Sequence, residues 1–379
     1  MSISSLQYTL KGTANNDKDP LIEFADPKDE GKRRFTISCN QLWHKGALLC
    51  FTVLFLLIVL TFIVFPLIFI SVPQIQRNLI FQPNLAIPQL FHQRFQLGRS
   101  NADCKETPKN YYVTVNKSDH SHIGVWHIQP YFRHNCDDAV YIPLNETSYP
   151  VILYFHNGHG DRRYFLDNYF ELRLFFHVIT FDYRGYGDSS WSKLNEELLV
   201  NDGVQLYTWL CNQTTSNIYI WGDKLGAAIA THTVSLLNNE TTYPMGLILE
   251  DPFTSLSDLI KVWYWPLADV LSWTPWYSAT ITNSLKRNKL GFETNEYIKN
   301  INCPIMILNW PNSKFPNSLG EKLAFTASER SPSVQGTITY NLVPRYYTHR
   351  DRYSKIIPQY IQDFIMECDA FKNKRFLSL

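Results

Sequence analysis

The sequence predicts a doubly wound, mostly parallel α/β sheet, preceded by one helix long enough to cross a membrane. Three observations carry that prediction. Short apolar runs, each about five residues long and without polar alternation, recur from residue 151 onward with helical stretches between them. Such runs suit strands whose two faces are both covered by helices. From Gly46 to Val72 no charged residue occurs. Finally, Ile218–Ala228 reads as a buried strand, a turn bracketed by Gly222 and Gly226, and the start of a helix rich in small residues.

Taken in order, residues 1–45 are polar and read as a cytosolic tail without fixed structure. The apolar run 46–72 exceeds what a hydrocarbon core of about 30 Å requires. Pro66 and Pro73 are expected to mark its exit. Lys28, Lys32, Arg33, Arg34 and Lys45 precede the run, and the next basic residue is Arg77. The positive-inside rule then puts the N-terminus in the cytosol and the remainder in a lumen or outside the cell. A cleaved signal peptide fits less well, because a long polar stretch comes first and no small-x-small cleavage site is present. Sequons at Asn116, Asn145, Asn212 and Asn239 all lie beyond the run, as lumenal N-glycosylation needs. Five cysteines lie beyond it too, an odd number that leaves at least one without a partner in the chain; Cys104 with Cys136 is the preferred pair. The net charge of +1 gives no reason to expect nucleic acid. The abundant aromatic residues point instead to apolar ligands or a membrane interface.

Residues 73–110 form a juxtamembrane connector, and 111–371 the folded domain. Its expected strands are Tyr111–Val115 and Ile123–His127 as an antiparallel pair, then Val151–Phe155, Val178–Phe181, Ile218–Trp221, Gly246–Glu250, Pro304–Leu308 and Thr337–Val343. Helices are expected over Leu194–Leu210, Leu225–Leu237, Leu319–Thr326 and Ile356–Glu367. An insertion over about 255–294 carries Trp263, Trp265, Trp273 and Trp276. It reads either as a packed pair of cap helices or as an aromatic lid for acyl chains near a bilayer.

The segments Phe181-Asp182-Tyr183-Arg184-Gly185-Tyr186-Gly187-Asp188-Ser189, Ile218-Tyr219-Ile220-Trp221-Gly222 and Leu249-Glu250-Asp251-Pro252-Phe253-Thr254 stand in a distinctive order. With the single span, the chain resembles the membrane-bound α/β-hydrolase-domain lipases that cleave lysophosphatidylserine and monoacylglycerol in the endoplasmic reticulum. The resemblance covers roughly residues 45–370. It implies an α/β-hydrolase fold, an endoplasmic reticulum location, and acyl-ester hydrolysis by Ser, His and Asp without metal or cofactor.

That chemistry needs a hydroxyl on the sharp turn, a His to take its proton, a carboxylate to orient the His, and backbone N–H donors for the oxyanion. The glycines Gly222 and Gly226 keep the register, yet Lys224 stands where the family has Ser. An ammonium with an ordinary pKa of about 10.4 is a poor nucleophile, and its attack on an ester would end in a stable amide. Adjacent Asp223 is expected to pair with Lys224 or cap the next helix rather than attack. The acid position falls on Asn312 or Ser313, neither of which is a carboxylate. His349 occupies the base position. In the oxyanion loop His156-Asn157-Gly158-His159-Gly160, Asn157 replaces a glycine, and the donors would be N–H groups near Asn157 and of Leu225. His156 and His159 lack a third residue at metal-ligand spacing.

Loss of the nucleophile alone costs on the order of 10⁶ in turnover in such enzymes. The expectation is therefore a catalytically inactive member that binds a lipid, a fatty-acyl ligand or a protein partner. The Lys224 cation could draw an anionic headgroup or a fatty acid carboxylate. The alternative is an active lipid ester hydrolase using a displaced hydroxyl, with Ser189, Thr254 and Ser255 on loops at the correct edge of the sheet.

Overall fold

The computed structural model describes residues 21–22, 37–81, 108–116, 120–130, 141–237, 243–263, 272–273, 275–311, 316–344 and 356–377. The chain divides into two compact units, Met1–Ser71 and Val72–Leu379.

In the first unit, α1 (Cys39–Val59) continues through a π-helical turn, Leu60–Val64, into α2 (Phe65–Ser71). The helix thus begins seven residues before Gly46. Trp43–Ser71 is long and apolar enough to span a bilayer. Leu48, Phe51, Phe55 and Leu56 are all exposed, which is not how a soluble protein treats a core helix. Pro66 does not end the apolar helix. A proline cannot donate to the carbonyl one turn back, and the π turn just before it takes up the mismatch. Leu21–Ile22 pairs antiparallel with Ile37–Ser38.

In the second unit, α3 (Pro73–Ile80) starts with its proline in the first turn, where the missing N–H costs nothing. The sheet comes next: β1 (Lys109–Asn116), β2 (Ser121–Ile128), β3 (Val151–Phe155), β4 (His177–Phe181), β5 (Ile218–Asp223), β6 (Gly246–Glu250), β7 (Ile305–Asn309) and β8 (Ile338–Leu342). Across the sheet the order is β8-β7-β6-β5-β3-β4-β2-β1. The β1–β2 and β2–β4 pairs are antiparallel, and every other neighbouring pair is parallel. The predicted strands are all present, most with bounds moved by a residue or two.

Each of β3 to β7 is buried along its whole length, so its apolar run needs no alternation. On one face Tyr154 stacks on Trp221 at 6.3 Å between centroids, and on the other Phe155 meets Phe181 edge-on at 5.0 Å. The predicted helices appear as α5 (Glu196–Cys211), α6 (Leu225–Leu236), α8 (Asn317–Ser328) and α9 (Ile357–Leu377). Asn195 caps α5 by accepting the Leu198 N–H at 2.9 Å. The helices that were not expected include α3, inside the connector, and α4 (Leu166–Leu172), which crosses from β3 to β4.

In the insertion, α7 (Leu256–Trp263) packs against helical turns over 275–287. Tyr277 donates to the Ser257 carbonyl at 2.8 Å, and the Ser257 and Thr282 hydroxyls bond at 2.8 Å. The helices pack as a cap, while Trp263 and Trp273 are exposed and Trp276 is half-buried. Trp265 lies outside the described residues, as do Asn239, Cys104 and Cys136. Cys211, Cys303 and Cys368 are free thiols.

Candidate functional site

The site forms where the strand order reverses at β3, which puts the carboxyl ends of β3, β5 and β6 side by side. Phe155 faces Gly222, and Asp223 faces Glu250 across the parallel ladders. Ligands of open α/β sheets bind at this edge.

The chain leaves β5 through Lys224, whose φ of 53° and ψ of −105° lie in a region that side chains seldom adopt. Its backbone N–H donates to the Glu250 carbonyl at 2.8 Å, which fixes the turn to the neighbouring strand. The two glycines are required by contact. A Cβ on Gly226 would stand 2.1 Å from the Phe155 carbonyl oxygen, and one on Gly222 would stand 2.5 Å from the Ala227 Cα. The turn is therefore an intact nucleophile elbow with Lys224 at its apex, and Leu225 opens α6.

The Lys224 side chain is 26% exposed, and its Nζ lies 2.8 Å from Asp223 Oδ1 and 3.7 Å from Asp251 Oδ2. Burial alone would lower its pKa, but the Asp223, Glu250 and Asp251 carboxyl groups outweigh burial and hold it above the ordinary lysine value. The ammonium is charged at any physiological pH and cannot act as a neutral amine nucleophile. Three carboxyl groups, of Asp223, Glu250 and Asp251, thus act on this one ammonium.

Asp223 joins the elbow to the oxyanion loop. While Oδ1 meets Lys224, Oδ2 accepts from Asn157 Nδ2 at 2.7 Å. Asn157 Oδ1 in turn accepts the His159 N–H at 2.8 Å, a local turn typical of asparagine. The residue that replaces a glycine thus does more than add a Cβ, since it ties the loop to the elbow. A Cβ on Gly158 would come within 2.7 Å of Leu225 Cδ2 and 3.2 Å of the Ile80 carbonyl oxygen. Loop, elbow and the end of α3 therefore crowd together here.

His156 is buried and lies 4.4 Å from Tyr183, ring to ring. Its Nδ1 donates to the Asn157 carbonyl at 2.5 Å. Burial lowers its pKa to about 4, so the ring is neutral and serves to shape the loop.

Two carboxylates that partner the apex were not expected from the sequence. Glu250 accepts from both Trp221 Nε1, at 3.1 Å, and Trp310 Nε1, at 2.5 Å. Asp251 sits at a positive φ of 45° and accepts the Trp310 backbone N–H at 2.9 Å. The signal that could have found them is the parallel register of β5 and β6, which puts Glu250 beside Asp223.

The alternative hydroxyls are all engaged in holding the fold. Ser189 donates to the Asp182 carbonyl at 2.6 Å and accepts the Gly124 N–H at 2.9 Å. Thr254 donates to Asp258 at 2.7 Å, and Ser255 accepts the Asp258 N–H at 3.1 Å. Asn312, Ser313 and His349 lie outside the described residues, so of the three triad positions only Lys224 is described.

Eight strands in this order with an elbow after β5 define an α/β-hydrolase. No protein-family model matches the chain. The lysophosphatidylserine lipase ABHD12 of Danio rerio is 30% identical over 320 residues, covering 80% of this chain and 80% of that protein. Its counterpart in Bos taurus is 31% identical over 274 residues, covering 69% and 66%. A solved α/β-hydrolase from Vibrio vulnificus is 14% identical with a TM-score of 0.48, covering 69% of this chain and 81% of that one. The chain belongs to the lysophosphatidylserine lipase family represented by ABHD12.

Proposed function

We propose that this chain is a membrane-anchored, catalytically inactive member of its family. In this reading it binds an acyl lipid, or a protein partner, through the site at the β3, β5 and β6 edge. One observation carries the reading: the apex of an undistorted elbow holds an ammonium paired to Asp223 at 2.8 Å instead of a hydroxyl. The ester that the relatives' name specifies would find no group there that can form and then release an acyl intermediate.

The chain is a type II, single-pass protein of the endoplasmic reticulum with its folded unit in the lumen. The charge-free run and the basic residues before it support this topology, and N-glycans are expected on Asn116, Asn145, Asn212 and Asn239. Endoglycosidase treatment of the expressed chain would sharpen its electrophoretic band; a band that does not shift removes the lumenal assignment.

The test of inactivity uses a fluorophosphonate probe together with hydrolysis of lysophosphatidylserine and monoacylglycerol. The native chain should neither label nor turn over either lipid. Labelling that disappears on substitution of one residue would overturn the proposal. Lys224→Ser alone should stay inactive, because the acid position lacks a carboxylate. Activity regained by Lys224→Ser with Asn312→Asp or Ser313→Asp would show that these side chains alone separate the chain from its relatives.

A further inference from the structure

Helix α3 buries polar side chains and exposes aliphatic ones beside the surface pair Gln74 and Asn78. Gln76 is fully buried, donating to Ser284 Oγ at 3.2 Å and accepting from Asn288 Nδ2 at 2.8 Å. Arg77 donates inward to the Leu194 carbonyl at 2.9 Å. Val72, Ile75 and Leu79, spaced three and four residues apart and so on one face, are 40%, 41% and 36% exposed. A helix surrounded by water would put its amide outward and its Ile and Leu inward. This arrangement suits an environment that is apolar on the outer side.

The chain enters α3 directly after the apolar stretch Trp43–Ser71, and α3 has no acidic residue. We propose that the Val72, Ile75 and Leu79 face of α3 lies in the interface of a phospholipid bilayer, an inference that rests on the membrane-anchored reading above. Trp and aliphatic side chains of the adjoining cap would share that interface, since α3 is bonded to Ser284 and Asn288 of the cap. The inner end of the helix ties this placement to the site. The Ile80 carbonyl abuts Gly158 of the oxyanion loop, and Phe81 packs edge-on to Phe292 at 6.3 Å. Eight residues of helix span roughly 12 Å. The oxyanion loop therefore sits within about one short helix of the lipid surface.

The experiment uses the full chain in phosphatidylcholine–phosphatidylserine vesicles doped with a phospholipid that carries a diazirine near its glycerol. After irradiation, labelled peptides are mapped by mass spectrometry. Label is expected on 43–71 and on 72–79, but not on the loop of Trp191, which is 84% exposed and serves as the water-facing control. The double variant Ile75→Glu, Leu79→Glu replaces exposed side chains only. It should unfold at the same temperature, lose the label on 72–79 and keep that on 43–71. Label on 43–71 with none on 72–79 in the native chain overturns the proposal while leaving the anchor intact. Equal label on 72–79 and the Trp191 loop overturns it as unspecific. Absence of label from 43–71 defeats the anchor itself, and the proposal with it.

Discussion

Two cations meet carboxylates at the same edge of the sheet, and they are held in opposite ways. Arg162 is buried, with Nη1 2.9 Å from Asp182 Oδ2 and 2.7 Å from Asp188 Oδ1. Its Nη2 reaches Asp188 Oδ2 at 3.0 Å and Asn110 Oδ1 at 2.9 Å, and the guanidinium lies 4.8 Å from the Trp126 ring. Gly124 makes room for this cluster, because a Cβ there would stand 1.9 Å from Asp188 Oδ1. Lys224 has one short carboxylate contact and one at 3.7 Å, and stays partly open to water. Arg162 ties the loop after β3 to the loop after β4 and to strand β1 through a fork of donors, whereas Lys224 is a point charge perched on a turn that the neighbouring glycines already define. The apex residue is therefore replaceable in a way that the loop residue is not.

The largest effect comes from that asymmetry. Arg162→Met leaves Asp182 and Asp188 buried or half-buried without their cation, and should destabilise the fold by about 3–5 kcal/mol. Thermal or urea unfolding would measure it. A loss no greater than that of Lys224→Met would erase the distinction between the two cations.

A pair of groups that can carry charge but, among the described residues, bond to no carboxylate sharpens the contrast. His127 Nε2 meets His177 Nδ1 at 2.9 Å in the interior, with Tyr141 at 2.7 Å and Thr147 at 3.0 Å on the outer nitrogens. Burial, aided by His177 and Lys109, lowers the pKa of His127 to about 3, and burial lowers that of His177 to about 4. An unfolded histidine titrates near 6.5, so below that value the unfolded chain binds the extra protons. Their contribution is fully present above pH 6.5 or so and is lost as the pH falls toward their folded pKa values. Each should cost up to about 1.4 kcal/mol per pH unit in that window. A midpoint of unfolding that is flat between pH 6.5 and 4.5 would contradict this.

How much of this was legible in the sequence depends on whether the signal was local. The strands were legible because each is an apolar run buried on both faces. The elbow was legible because Gly222 and Gly226 can be nothing else beside Ala227 and the Phe155 carbonyl. Helix α4 was missed because its apolar residues Leu166, Tyr169 and Leu172 are few and come after a 3₁₀ turn that buries an arginine. Helix α3 was missed because its outward pattern runs against the usual one. The partner next to Lys224 in sequence, Asp223, was legible, but the others come from elsewhere: Asp251 follows β6, and Asn157, which bonds Asp223, lies in the loop after β3. Pairing of strands decides such contacts, and no spacing along the chain encodes them.

The smallest effect tests the apex itself. Replacing Lys224 by Ala removes its ion pairs but leaves a Cβ at a φ of 53°. Replacing it by Gly removes the same pairs and also releases whatever strain the turn imposes on a side chain. Sparsely populated backbone conformations cost about 1–3 kcal/mol. Lys224→Gly should therefore be more stable than Lys224→Ala by about 1 kcal/mol, despite the larger chain entropy that glycine brings to the unfolded state. Equal midpoints for the two variants would mean that the elbow holds no strain. The apex would then be shaped by its side chain, and the comparison with Arg162 would fail from the other side.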